Sequence, residues 1–308
     1  MVWSLGLRNM SNWPSCKLAS RAWRPVALLV SIGFCAATAI DGWAFCRSST
    51  CKGAECTADA DGCPASGAKL FWTTHCIGYS MQVNGTQNLP MDKVKQAVRS
   101  AFAAWSDIDC NGQPASLTFG ELVDTGCINV EFNGSGANVN VVLFRDDDWK
   151  YKNTDNTLAK AIAHFDGKTG EILDADIEVN TASNHFTITA KDAQFDLQTV
   201  LTHEVGHFIG LGHSADTDAV MYASYERGST KGRKLTPDDI AAVCAVYPPN
   251  RPGKCDLVPK GGFDSCKVAV ADTTCRSGRR APPMTGWVAL VWALAVPALW
   301  RLRRKDIP

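Results

Sequence analysis

The chain has 308 residues, 45% of them hydrophobic and 20% charged, which suits one sizeable catalytic domain with flanking segments. Lys plus Arg and Asp plus Glu stand at 31 each, so the charge balance gives no argument for a nucleic-acid partner.

In chain order, the first feature is a leader. Arg21 and Arg24 precede the apolar run from Val26 to Ile40, and Gly42-Trp43-Ala44 puts small residues where a signal peptidase reads. Residues 1–44 therefore read as a signal peptide, with Phe45 left first after cleavage. An uncleaved membrane anchor is the other reading, although the run is short for a span. Residues 45–68 are rich in Cys, Gly, Ala and Ser and read as a disulfide-tied extension with little core of its own. Leu70, Phe71 and Trp72 open a strand-like stretch, and Asn84 to Asn88 reads as a turn. From Met91 to Ile108 the period is helical, with Val94, Ala97, Val98, Ala101, Phe102 and Trp105 on one face. Strand-like stretches follow at Ser116 to Val123, Ile128 to Phe132, Val139 to Phe144, Thr157 to Phe165 and Glu171 to Val179. A second helix is expected from Asp196, as N-cap, to about Gly210. A last helix is signalled by Thr236 as cap, Pro237 at the first helical position and acidic Asp238-Asp239 in the first turn, ending at Tyr247.

Residues 249–283 are rich in Pro, Gly, Lys and Cys and read as a linker. Residues 284–308 carry an apolar stretch, Trp287 to Trp300, closed by Arg301, Arg303, Arg304 and Lys305. Trp at both ends and the basic cluster favour a membrane-seeking segment over a buried terminal helix.

Thirteen cysteines fit an oxidising compartment. Cys16 and Cys35 fall in the leader, and eleven remain. Cys46, Cys51, Cys56, Cys63, Cys76, Cys110, Cys127, Cys244, Cys255 and Cys266 suffice for five bridges of unreadable connectivity, leaving Cys275 over. A zinc knuckle at Cys51, Cys56 and Cys63 lacks a local His or a CxxC pair.

The strongest chemical signal is His203-Glu204-Val205-Gly206-His207. On a helix the two His share a face and can reach one ion, while Glu204 stands beside it as a base for metal-bound water. Gly210 lets the chain leave the helix, which brings His213 round as a third ligand. Three protein ligands leave a fourth position for water, the catalytic arrangement of zinc.

His203-Glu204-x-x-His207-x-x-Gly210-x-x-His213 followed by Met221 resembles the metzincin signature with its Met-turn. The stretch from His213 to Tyr225, the run Leu235 to Ile240 and the lead-in Phe195 to Leu201 are similar to the matrixins, the matrix metalloproteinase family. The likeness covers residues 69–248. It implies an α+β fold: a twisted mixed sheet of about five strands, an active-site helix, a zinc cleft and a small C-terminal lobe. It further implies a zinc metalloendopeptidase with Glu204 catalytic, His203, His207 and His213 on zinc, and Met221 as a floor beneath the metal. Ala223 to Lys234 would shape the wall of the main specificity pocket, with Ala223 where matrixins commonly carry Pro.

The likeness also fails in places. Ile162-Ala163-His164-Phe165 resembles a segment that supplies a structural zinc ligand in many matrixins, but Asp176 stands at the partner position and no His-x-Asp pair lies upstream. A second zinc is therefore not expected. Asp174, Asp176 and Glu178 alternate along a strand, and their oxygens suit calcium; a solvated strand face is the competing reading. No Pro-Arg-Cys-Gly segment is present to block the zinc. Cys275-Arg276, the apolar stretch and the basic end resemble the surface-sorting tails of myxobacterial exported proteins. The expected protein is a monomer, secreted or anchored at the cell surface, acting on proteins or peptides and meeting a membrane through its tail. A zinc-binding adhesin on the same scaffold is the rival reading.

Overall fold

The computed structural model describes residues 2–5, 8–9, 43–151, 157–189 and 194–266. All lie in the compact unit Met1–Val268. Most of the leader, Cys275, the apolar tail and its basic end fall outside the described residues.

The strands are β1 (Val2–Leu5), β2 (Arg8–Asn9), β3 (Cys76–Met81), β4 (Thr118–Glu121), β5 (Val141–Phe144), β6 (Ala159–Phe165), β7 (Ile172–Val179), β8 (Phe186–Thr187), β9 (Phe195–Asp196) and β10 (Ser224–Tyr225). The helices are α1 (Met91–Ala104), α2 (Leu197–Phe208) and α3 (Pro237–Val246). The main sheet has the order β1-β6-β7-β5-β3-β4. Its five members besides β1 form the mixed sheet expected: β4, β3, β5 and β7 run parallel, and β6 runs antiparallel to β7. β1 lines the outer edge of β6 antiparallel, and β2 pairs parallel with β10. The fold is α+β.

Alternation along the strands gives the sheet two faces. Val142, Phe144, Ile177, Val179, Ala161 and Ala163 join the main core with both long helices. α1 contributes Val94, Ala97, Val98, Ala101 and Phe102, the face its period implied. Phe102 stacks on Tyr79 of β3 at 3.7 Å and meets Phe208 of α2 edge-on at 5.4 Å. α1 stops at Ala104, short of Ile108, and Asp107 is left-handed at φ 54°. That conformation is costly for a residue with a Cβ, so the helix cannot run through it.

The other face carries a smaller cluster of Cys127, Val139, Val141 and Leu143, covered by Val130 and Phe263. This cover corrects two expectations. Ile128 to Phe132 forms no strand; Val130 packs onto the smaller cluster, while Ile128 is exposed. Nor is the Asp174–Glu178 face of β7 solvated, because all three acids are fully buried.

Five disulfides use the ten cysteines expected to pair: Cys46–Cys63, Cys51–Cys56, Cys76–Cys255, Cys110–Cys244 and Cys127–Cys266. The Cys51–Cys56 bond disposes of the zinc-knuckle reading. Cys76–Cys255 and Cys127–Cys266 hold residues 249–266 along the domain, where Phe263 bridges to Asn138. Among the described residues no helix is long and apolar enough to cross a membrane.

Candidate metal centre

α2 positions the first two histidines. Asp196 caps it, accepting from the Thr199 N–H at 2.8 Å, and every residue from Thr199 to Phe208 is buried. Trp105, the C-cap of α1, anchors the helix, its indole N–H donating to the Thr202 carbonyl at 2.8 Å. The helix ends where expected. Gly210 turns the chain at φ 89°, and a Cβ there would lie 2.7 Å from the Leu70 carbonyl oxygen. Only glycine suits both demands.

Past that turn His213 comes back over the helix. The ligand nitrogens of His203, His207 and His213 lie within 4.8 Å of one another, the one such cluster among the described residues. His207 Nε2 and His213 Nε2 are 3.2 Å apart. The second nitrogen of each helical histidine is held: His203 Nδ1 meets the Val220 carbonyl at 2.7 Å, and His207 Nδ1 the Leu211 carbonyl at 2.9 Å. A carbonyl accepts only from N–H, so both protons sit on Nδ1 and both Nε2 lone pairs face inward. His203 Nε2 is buried without a hydrogen-bond partner, as an atom reserved for a ligand would be. Burial, then the nearby His213, pushes the His203 pKa down to about 3. His207 is lowered well below its ordinary value by burial and by both neighbouring rings. These rings stay neutral, as metal ligation requires.

Glu204 is fully buried, and its Oε2 accepts the Ala161 N–H of β6 at 2.8 Å. Sequence reasoning missed Ala161, since a backbone amide leaves no mark in residue identity. Met221 is buried against Gly206, where an added Cβ would lie 2.1 Å from Met221 Sδ. Gly206 thus lets Met221 pack directly against the helix between the two histidines. A cavity of about 110 Å3 opens beside His203, lined by Thr199, Val220, Tyr222, Tyr225 and Gly232. Its lining overlaps the stretch from Ala223 to Lys234 that the resemblance made a pocket wall.

The acidic trio on β7 does not act as one set. Glu178 is paired with Arg145 and with the Tyr151 hydroxyl. Asp176 Oδ1 accepts the Val141 N–H at 2.9 Å, while Asp176 Oδ2 and both Asp174 oxygens have no hydrogen-bond partner. His164 Nδ1 lies 3.4 Å from Asp174, and its ring stacks on Phe132.

A family model described as Matrixin matches residues 71–248. Metalloendoproteinase 1-MMP of Arabidopsis thaliana is 30% identical over 239 residues, covering 73% of this chain and 56% of that protein. Matrilysin of Homo sapiens is 31% identical over 177 residues, 57% of this chain and 58% of its own length. Metalloendoproteinase 1 of Glycine max is 30% identical over 156 residues, 51% of this chain and 46% of that protein. The chain spans about half the length of these relatives. With the family model covering more than half of the chain, the chain belongs to the matrixin family.

Proposed function

We propose that this chain is an exported zinc metalloendopeptidase. The observation that carries the reading is the convergence of three imidazoles, the two on α2 held neutral by burial, beside a buried carboxylate. His203, His207 and His213 would hold the zinc, a donor set of three nitrogens with room for one exchangeable position. A bound zinc supplies a Lewis acid and brings the pKa of its water toward neutrality. Glu204, one carboxylate oxygen fixed by the Ala161 amide, would serve as the base that accepts the nucleophile's proton and hands it to the leaving amine.

An extended peptide finds two backbone walls, the outer edge of β6 and the short strand β10. The chain's own β1 and β2 pair with these walls, so both accept a strand. The cavity beside His203 receives one side chain of such a peptide.

Export follows from the leader, whose removal after Ala44 leaves Phe45 first. The five disulfides agree with an oxidising destination. Membrane contact through residues 284–308 and a monomeric state are carried as part of the same proposal. So is calcium at Asp174 and Asp176, with Glu178 removed from the set because Arg145 already neutralises it.

The test is metal analysis of the purified chain, followed by casein digestion beside Glu204→Gln. Zinc at one per chain is expected in both. Hydrolysis should fall by about 100- to 10,000-fold in the variant, the range for losing a general base. Equal digestion by the two proteins would end the mechanism, and N-terminal sequencing of exported protein tests the cleavage site.

A further inference from the structure

α3 begins beneath the loop that carries Met221, and one of its carboxylates reaches into that loop. Asp239 is fully buried. Its Oδ2 accepts the Val220 N–H at 2.9 Å, and its Oδ1 accepts the Met221 N–H at 3.2 Å. The Met221 N–H and the Val220 carbonyl belong to one peptide unit, which is planar and rigid. The carbonyl end of that unit meets His203 Nδ1 at 2.7 Å. The path from Asp239 to the ring therefore runs through a single inflexible plane. A carboxylate on its N–H end also polarises the carbonyl, which strengthens the bond at the far end.

We propose that Asp239 is a positioning residue of the metal centre. Through the Val220–Met221 peptide it sets the tautomer and ring orientation of His203, and so governs how long zinc is retained. This rests on reading the three histidines as zinc ligands. The competing role is purely structural, because Asp239 also closes the capping box of α3 with Thr236. The two roles separate by mutation. Thr236→Ala removes the side-chain half of the cap and leaves both bonds from Asp239 to the loop. Asp239→Asn keeps the shape but gives the loop one acceptor where it had two.

The measurement is zinc release from the full chain to a chromophoric chelator, read beside the melting temperature. Asp239→Asn should release zinc about tenfold faster or more, the usual cost of losing an orienting partner of a ligand. Thr236→Ala should melt lower and release zinc at the wild-type rate. Should the Asn variant fail to fold, Asp239→Glu, with its acceptors displaced by one methylene, carries the same comparison against Thr236→Ala. Equal release from wild type and the folded Asp239 variant overturns the proposal, as does faster release from Thr236→Ala by the same factor. A wild-type chain that takes up no zinc would instead overturn the reading of the histidines, and this proposal with it.

Discussion

Gly206 sits between the two helical histidines because nothing larger fits there. A methyl group would have to displace Met221 Sδ, which stands 2.1 Å from the place it would occupy. Gly206→Ala should cost about 1–3 kcal/mol of stability, the range for overpacking a core, and should loosen zinc as the floor shifts. Urea denaturation and zinc titration of the variant check both effects. Asp176 offers a test of a different kind. Burial first, then repulsion by Asp174, raises its pKa well above 3.8. Between 3.8 and that raised value the folded chain binds the extra proton, so this stability is present at low pH and lost as pH climbs. In calcium-free buffer, Asp176→Asn should therefore gain on the wild type as pH rises, read from urea midpoints at several pH values. Calcium should restore the wild type at neutral pH; curves that coincide with and without calcium would sink the calcium proposal. At this scale the sequence was most legible where partners are neighbours. The spacing of His203, Glu204, His207, Gly210 and His213 fixed their geometry because one helix and one turn contain them all. The pairing of Glu178 with Arg145, 33 residues away, had no such local signal.

The helices followed their local chemistry closely. Thr236, Pro237 and Asp239 wrote the start of α3 into four consecutive letters, and the capping box is present. Thr236→Ala should destabilise the protein by about 0.5–2 kcal/mol, measurable as a shift in denaturation midpoint. Strands were harder to read. β7 alternates acid and apolar residues, which on an open sheet would mean one wet face. The face is dry because residues from a distant loop cover it: Phe132 stacks on His164, and Val130 packs on the cluster beside it. The same loop explains why Ile128 to Phe132 has a strand-like pattern without being a strand. Alternation measures which side chains want burial, and a loop lying over a sheet can bury them without any ladder.

For the molecule as a whole, cross-links define which parts stay together. Cys110–Cys244 spans 134 residues and Cys51–Cys56 spans 5. By loop entropy the longer bridge should be worth about 3 kcal/mol more, so replacing Cys110 and Cys244 with Ser should lower the urea midpoint far more than replacing Cys51 and Cys56. The cysteine count foretold five bonds, but not which pairs, since pairing is a property of the finished fold. Residues 249–266 show the difference: their composition suggested a loose connector, yet Cys255 is bonded to Cys76 and Cys266 to Cys127. A single cut in the backbone between those two cysteines, or between Pro249 and Cys255, thus frees nothing. The severed chain would migrate at full mass on a non-reducing gel and part into two bands only once thiol is added, so shedding of whatever follows Cys266 demands a cut beyond it or a reductant.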